Sequence, residues 1–343
     1  CTCSGLSVSA QDYAVDSVTG LPILNSNPGA VGVLYMDFNG GMFPSGTTLD
    51  PFNNTFSTAE DDPNTFVGSE RQDIYDAWLD VATHFAMFDI NVTTIEPDKT
   101  ATPTGHQVIY NSTGGGSAVS NSFGWGDDAS DLARARNSSR NLRNRASSIT
   151  HEFGHILGLA HLNGYDGDGD YFTQYQDATA QGVGSLMGKD GGIDNDAVSR
   201  FSSWQQGRAY GNTTDNIKGT AQDDRAVIAA KLIAKYNEFT GGNYAGDGYR
   251  PDEHGNTMGT ATALQLSNGG AAGEGLVHVS AAAAGIIERV SVLDPAQNDV
   301  DMFEPDWAGG DLSVTAEAVR SVASGSKYTL EYASSLGMLL SLY

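Results

Sequence analysis

One segment of the chain, from His151 to His161, restricts its fold and chemistry more than any other. It reads HEFGHILGLAH. On a helix, His151 and His155 are four residues apart, so their rings project from one face, one turn apart. Glu152 stands beside the first ring, where its carboxylate can reach a water on a shared metal ion. Gly158 permits the backbone conformation with which a chain leaves a helix, so His161 can add a third nitrogen. Three neutral nitrogens and one open position describe a catalytic zinc site.

Two simpler interpretations of this segment compete with a catalytic metal site. A bare H-E-x-x-H pattern arises by chance, and its histidines can be ordinary surface residues of a helix. A closed structural zinc site is the second, but it would normally recruit cysteine and would leave Glu152 without a role. The glycine and the third histidine at fixed offsets, Gly158 and His161, favour the catalytic site.

The extended motif is similar to that of the metzincin clan of zinc endopeptidases. Members of that clan also have a tight turn downstream, whose methionine lies under the zinc-binding histidines. Met187 follows His161 at about the interval of that family and is the candidate for this Met-turn. An isolated methionine is usually core filler, so the assignment depends on the motif that precedes it. Lys189 stands where related families place a zinc-proximal tyrosine, so no tyrosine ligand is expected there.

Further segments resemble a reprolysin-like group of secreted bacterial metzincins. They are the strand-like runs Val33 to Gly40 and Phe88 to Thr94, the helix-like runs Phe56 to Glu60 and Ala77 to Ala82, and the closing residues Trp204, Gly207, Tyr210, Gln222, Asp223, Asp224 and Ile228. The resemblance covers roughly residues 28 to 238. It implies an α+β fold of metzincin type, with a twisted mixed sheet, long helices, an active-site helix and the Met-turn.

The resemblance also implies a function and the residues that carry it. His151, His155 and His161 would hold zinc, and Glu152 would be the general base for a zinc-activated water that attacks a peptide bond. The chain would then be a secreted zinc metalloendopeptidase that takes a protein or peptide substrate in extended conformation. A non-catalytic binding or adhesion module that keeps zinc for stability is the alternative, and the intact Glu152 favours the peptidase.

The composition argues against several classes of partner. The formal net charge is −24 and the sequence pI is about 4.3, which disfavours nucleic acid and anionic membrane surfaces. No stretch is long and apolar enough to span a membrane. Together with the resemblance, the acidic composition favours an extracellular bacterial protein, with attachment to the cell surface as an alternative.

The chain has two cysteines, Cys1 and Cys3, separated by one residue. A bond between them would be strained, so no internal disulfide is expected in the catalytic region. Three interpretations stay open: a lipid-modified terminal cysteine, a propeptide cysteine that occupies the open zinc position, and incidental residues of a chain that extends upstream.

The pattern along the chain predicts four parts. Residues 1–27 are an irregular lead-in, 28–240 the peptidase domain and 241–249 a glycine-rich linker. Residues 250–343 lose helical periodicity and resemble the opening of a bacterial pre-peptidase C-terminal domain, a β-sandwich appended to secreted peptidases. Because that sandwich would be incomplete at Tyr343, the chain is expected to be a fragment.

Apolar periodicity predicts the main elements of the peptidase domain. Strands are expected at Val31 to Phe38, Ile90 to Ile95 and His106 to Tyr110, and helices at Glu70 to Phe85 and Asp223 to Tyr236. The active-site helix should begin within the arginine-rich residues 134–145 and continue to about Leu157. By resemblance, an edge strand within Ser117 to Phe123 would align the substrate by backbone pairing, and a plain surface hairpin is the alternative.

Residues 162–183 form a polar insertion in which aspartates alternate with glycines. Four of its carboxylates resemble the start of a calcium loop, which makes Ca2+ a second candidate cofactor; they are Asp166, Asp168, Asp170 and Asp177. The EF-hand pattern needs glycine at its sixth position and glutamate at its twelfth, where this chain has Tyr171 and Asp177. The match is therefore partial, and an insertion without bound calcium is the alternative.

Overall fold

Helices and strands are mixed within one chain, in agreement with the α+β content expected from the sequence. The structure is a computed structural model that describes residues 13–39, 41–42, 48–49, 65–109, 118–124, 132–135, 142–162, 164–165, 171–173, 183–188, 201–209, 220–251, 254, 257–265, 267–271, 277–280 and 302–305. The chain divides into two compact units. Of the described residues, 13–85 and 89–248 belong to the first unit, and 86–88 and 249–305 belong to the second.

The elements are numbered here in chain order. The first unit has the strands β1 Gly32–Asp37, β2 Gly41–Met42, β3 Thr48–Leu49, β4 Ile90–Thr93, β5 Thr104–Ile109, β6 Leu132–Ala135, β7 Gly164–Tyr165, β8 Tyr171–Thr173, β9 Val183–Ser185, β10 Phe201–Ser203, β11 Gln206–Arg208 and β12 Ala221–Asp223. Its helices are α1 Gly68–His84, α2 Leu142–Ile156 and α3 Asp224–Phe239. The three predicted strands correspond to β1, β4 and β5, and the three predicted helices to α1, α2 and α3, each within a few residues.

A four-stranded sheet in the order β4-β1-β5-β6 forms the centre of the first unit. All three pairings are parallel. Every residue of β1 is buried, as its continuous apolar run predicts for a central strand of a parallel sheet. The antiparallel member that a mixed sheet requires is not among the described strands of this sheet.

Helix α2 packs on the sheet and on α1, and these contacts fix where its residues stand. A Cβ on Gly105 of β5 would lie 3.1 Å from Cγ2 of Ile156, so helix and strand approach closely at this glycine. The side-chain amide of Gln107 donates a 2.9 Å hydrogen bond to the carbonyl oxygen of Ile149. On the α1 side, the rings of Phe85 and Phe153 meet edge to face, with centroids 6.2 Å apart.

Helix α3 begins at a well-formed N-cap. The side chain of Asp223 accepts hydrogen bonds from the backbone N–H groups of Arg225 and Ala226, which would otherwise lack partners within the helix. Further along, Tyr236 is fully buried and its hydroxyl donates to the backbone oxygen of Asp89. Residues after α3, within the predicted linker, pack on the same unit, since Tyr244 also bonds to Asp89.

The second unit has four described strands: β13 Thr262–Leu264, β14 Ser267–Ala271, β15 Val277–Ser280 and β16 Phe303–Pro305. Strand β13 pairs with β16 in parallel, and β14 pairs with β15 antiparallel. The predicted boundaries at residues 240 and 250, and the β-sandwich, stay predictions. None of the helices in the described part of the chain combines the length and the apolarity that crossing a membrane requires.

Candidate metal centre

Helix α2 carries the first two histidines of the motif. The ring centroids of His151 and His155 are 4.7 Å apart, and the ring planes are almost perpendicular, at 88°. Phe153 and Ile156 on the same helix are fully buried. Because these apolar residues pack into the core, the helix cannot rotate about its axis, and the two imidazoles stay on one side of it.

The chain leaves α2 through Gly158, as the motif predicts. Its φ of 98° lies in the left-handed region, which only glycine adopts without strain. The N–H of Gly158 donates to the carbonyl oxygen of His155 at 2.9 Å and closes the last turn. The reversed chain brings the ring of His161 to centroid distances of 4.7 Å from His155 and 5.1 Å from His151.

The three predicted ligands therefore meet at one place. One ligand atom from each ring lies within 4.8 Å of the others, and Nε2 of His155 is 3.0 Å from Nε2 of His161. Two nitrogens that are each about 2.0–2.1 Å from a tetrahedral zinc ion are about 3.3 Å apart, close to this separation. Within the described part of the chain, no other three His, Cys, Asp or Glu side chains could hold a metal in this way.

Main-chain carbonyl groups orient two of the rings. Nδ1 of His151 donates to the oxygen of Leu186 at 2.6 Å, and Nδ1 of His155 donates to that of Leu159 at 2.8 Å. A carbonyl oxygen only accepts, so Nδ1 carries the proton in both neutral rings, and Nε2 keeps its lone pair. These bonds also fix the direction in which each lone pair points.

The environment of the triad keeps its rings neutral. Burial lowers the pKa of His151 to about 3, and repulsion from the neighbouring His155 acts in the same direction. Burial lowers the pKa of His161 to about 4, and it also lowers the pKa of His155. Three neutral imidazoles at pH 7 are what a metal ion requires, because a protonated ring has no free lone pair.

Glu152 is a buried carboxylate with an unsatisfied oxygen. The residue is only 6% exposed, and its Oε2 finds no hydrogen-bond partner among the described residues. Burial raises its pKa to about 8. A buried carboxyl group without a partner is costly, and its place directly after His151 makes Glu152 a candidate for a chemical role.

Met187 lies in a tight turn that contacts α2, which carries His151 and His155 and is called the ligand helix below. The turn is closed by a 3.0 Å hydrogen bond from the N–H of Gly188 to the carbonyl oxygen of Ser185, and Met187 is fully buried. A Cβ on Gly154 of α2 would lie 2.5 Å from Sδ of Met187, so the thioether packs directly on the helix. The carbonyl oxygen of Met187 also accepts from the N–H of Leu162, the residue after the third ligand.

The predicted edge strand within Ser117 to Phe123 is wrong for the described residues 118–124, which form turns instead. The N–H of Asn121 donates to the carbonyl oxygen of His155 at 2.8 Å, and that of Phe123 donates to Ile156 at 3.1 Å. These bonds satisfy the last carbonyl groups of α2. The backbone N–H groups of Asn121 and Phe123 therefore cap the end of α2 and are already engaged within the protein.

Several predictions fall outside the described residues. These are the four calcium candidates, Asp166, Asp168, Asp170 and Asp177, together with Cys1, Cys3 and Lys189. In comparisons with protein families and with curated proteins, the chain matches none.

Proposed function

We propose that the first unit is a zinc-dependent endopeptidase with a metzincin-type catalytic domain. The observation that carries the proposal is the convergence of His151, His155 and His161 as neutral rings, together with the buried carboxyl group of Glu152, which follows His151 in the chain. A closed structural site would have no need of a buried, unpaired carboxyl group next to its ligands. The turn at Met187 and the helix exit at Gly158 support the metzincin assignment.

The donor set fits zinc. Imidazole nitrogen is a favoured ligand of Zn2+, and three protein ligands leave one position for water or substrate. Bound there, zinc would lower the pKa of a coordinated water towards 7 and polarise a substrate carbonyl group. The carbonyl groups of Leu186 and Leu159 hold the first two rings in the required tautomer.

Glu152 would move the protons of the reaction. Its carboxylate accepts the proton of the attacking water at Oε2 and returns it to the leaving amine nitrogen. The pKa of about 8 in the metal-free protein is raised by burial, and a divalent cation nearby would favour the ionised, base-competent form. No other buried carboxylate of the described residues adjoins a ligand in sequence, so this task has one candidate.

The proposal extends to the setting in which the protein works. The net charge of −24 and the resemblance to secreted peptidases favour an extracellular protein of a bacterium. Its substrate would be a protein or peptide segment in extended conformation. The second unit would correspond to the β-sandwich that such peptidases append. Calcium remains a second candidate cofactor of the insertion at residues 162–183.

The decisive experiment replaces Glu152 with Gln, which has the same shape but cannot accept the proton. We expect cleavage of casein and of a fluorogenic peptide library to fall by about 100- to 10,000-fold, while the chain still binds one zinc ion. Glu238→Gln is the matched control, because this exposed carboxylate on α3 bonds only to Lys235 at the surface among the described contacts. It should cleave at the wild-type rate.

Undiminished cleavage by Glu152→Gln would refute the role of this residue. A wild-type protein that binds one zinc ion, unfolds when the metal is chelated and cleaves none of the peptides would instead favour the non-catalytic, zinc-stabilised module. Metal content is measured on each variant beside activity, so a failure to bind zinc is distinguished from a failure of catalysis.

A further inference from the structure

The third ligand lies outside the helix, so it needs support that the helix does not supply. His151 and His155 are positioned by the packing of α2, whereas His161 follows the exit turn at Gly158. A ring at the end of such a loop binds a metal well only if its backbone is held within a fraction of an ångström. The contacts on both sides of His161 are therefore informative.

The backbone after His161 is held by the Met-turn. The N–H of Leu162 donates to the carbonyl oxygen of Met187 at 2.8 Å, and Leu162 forms an isolated antiparallel bridge with Ala209. The side chain of Leu162 is fully buried. The chain on this side of the third ligand is thus fixed by the main chain of two neighbouring segments.

The backbone before His161 is held by one side chain from a distant part of the chain. Oε1 of Gln222 accepts a 3.1 Å hydrogen bond from the N–H of Ala160, and Nε2 of Gln222 donates a 2.9 Å bond to the carbonyl oxygen of Ala160. The amide group thereby pairs with both polar groups of this residue, as a neighbouring strand would. Gln222 itself is only 8% exposed.

Both the backbone and the side chain of Gln222 are held in place by neighbouring groups. It lies in β12, whose pairing with β11 fixes its backbone, and it precedes the N-cap of α3 by one residue. Its Nε2 also donates a 2.8 Å bond to Oδ1 of Asp224, a fully buried carboxylate. The other oxygen of Asp224 accepts from the N–H of Gln205 at 3.1 Å. The amide group thus has one orientation, which the acceptor of Asp224 imposes.

We infer that Gln222 is the positioning residue for the third metal ligand, His161, acting through the backbone of Ala160. The inference rests on the proposed function, since it assumes that His161 binds a metal. Gln222 touches neither the metal position nor a substrate in this role. Its hydrogen bonds connect the ligand loop, which runs from Gly158 to His161, to the start of α3, about 60 residues downstream.

The test uses Gln222→Met, which keeps the length and volume of the side chain but removes both hydrogen bonds to Ala160. We expect zinc affinity, measured by competition with a chelator at a temperature where the variant is fully folded, to fall about 10- to 100-fold. The visible absorption of the Co2+-substituted protein should shift, because the third nitrogen is no longer held in place. In the metal-free protein, amide exchange at Ala160 should accelerate.

Gln206→Met is the matched control. Gln206 lies on the paired strand β11, and its amide also bonds to the start of α3, at Oδ2 of Asp223, but the described contacts do not connect it to the ligand loop. Its zinc affinity and Co2+ spectrum should equal those of the wild type. Thermal unfolding of both variants measures how far each substitution destabilises the fold as a whole.

A Gln222→Met protein with wild-type zinc affinity and an unchanged Co2+ spectrum overturns the inference, even if its melting temperature falls, because Gln222 would then only stabilise the fold. The failure of the proposed function looks different. If the wild-type protein binds zinc but cleaves no peptide, the proposed peptidase function is refuted and the inference about Gln222 is not affected. If the wild-type protein binds no zinc, both are refuted.

Discussion

Gly154→Ala tests the packing of the Met-turn on the ligand helix. The added Cβ would lie 2.5 Å from Sδ of Met187, a distance at which one of the two groups must move, and 3.3 Å from Cδ1 of Leu159. Met187 is fully buried, so its side chain cannot swing into solvent to relieve the clash. The substitution therefore has to move the thioether of Met187 within a filled core, or displace the turn or the helix.

The expected magnitudes follow from these contacts. Overpacking a filled core destabilises the fold by up to about 3 kcal/mol, whereas alanine in place of a helical glycine stabilises it by about 1 kcal/mol. Gly154→Ala should therefore lower the free energy of unfolding by about 2 kcal/mol. Met187→Ala alone should cost about 2–5 kcal/mol through the cavity it creates. With both changes the clash disappears, so the double variant should be more stable than the sum of the single effects by about 2–3 kcal/mol.

Urea unfolding of the metal-free proteins measures this coupling without any assumption about metal binding. Gly29→Ala serves as the control for a glycine replacement in open space, since no atom lies within 4 Å of its added Cβ. Zinc affinity should also fall in Gly154→Ala, because Leu186, next to Met187, orients His151. Strictly additive effects, or a Gly154→Ala protein stabilised by about 1 kcal/mol, would refute the packing of Met187 on α2.

Two further predictions concern acid stability and the helix exit. The contribution of His151 to the stability of the metal-free protein should be lost as the pH falls from about 6.5 towards 3, because burial holds His151 neutral to a pKa of about 3 while the unfolded chain takes up its proton near 6.5. Glu152 acts in the opposite direction, since burial raises its pKa to about 8, so the variant rather than the absolute slope isolates His151. Urea unfolding at stepped pH should show that the wild type loses stability relative to His151→Gln over this range, and equal slopes would contradict the buried neutral triad. Gly158→Ala should lower the free energy of unfolding by about 1–2 kcal/mol, because the φ of this residue is 98° and the added Cβ would lie 3.3 Å from Oδ1 of Asn121. Denaturant unfolding of the metal-free protein measures this loss. An unchanged midpoint would argue against the left-handed conformation at the helix exit.

The grouping of the three histidines could be predicted from the sequence because their spacing is a property of regular structure. Four residues on a helix place His151 beside His155 irrespective of what surrounds them. A glycine at position 158 marks the helix end, since few other residues accept a positive φ. The apolar runs of β1 and α1 are likewise local signals, and their positions were predicted within a few residues.

The groups that contact these histidines and the residue before His161 could not be predicted in the same way. Leu186 and Leu159 act through carbonyl oxygens, which every residue has, so the residue type carries no information. Gln222 was noticed only as part of a resemblance, because its contact with Ala160 depends on how a strand 62 positions away is placed. Such contacts depend on tertiary structure, and no short pattern in a single sequence predicts them.

The segment at residues 118–124 shows how a local pattern can mislead. Its apolar and small residues, including Val119 and Phe123, are compatible with a short strand, and the resemblance places an edge strand there. In the structure, Asn121 has a φ of 65°, which interrupts an extended backbone. Its N–H is already engaged by the carbonyl oxygen of His155. The requirement to satisfy the end of the ligand helix outweighs the weak strand propensity of seven residues.

The buried groups of this site destabilise the folded state, yet the site is well formed. Burying Glu152 and three imidazoles with few partners opposes folding, and the shifted pKa values of Glu152 and His151 record that cost. The groups remain together because the backbone around them is held independently of the metal, by the core under α2, by the turn at Met187 and by the amide of Gln222. If the three histidines bind a cation as proposed, a ligand set arranged in advance would lose little conformational freedom on binding, so more of the coordination energy would appear as affinity. A substitution that loosens one of these supports should therefore weaken metal binding more than it weakens the fold.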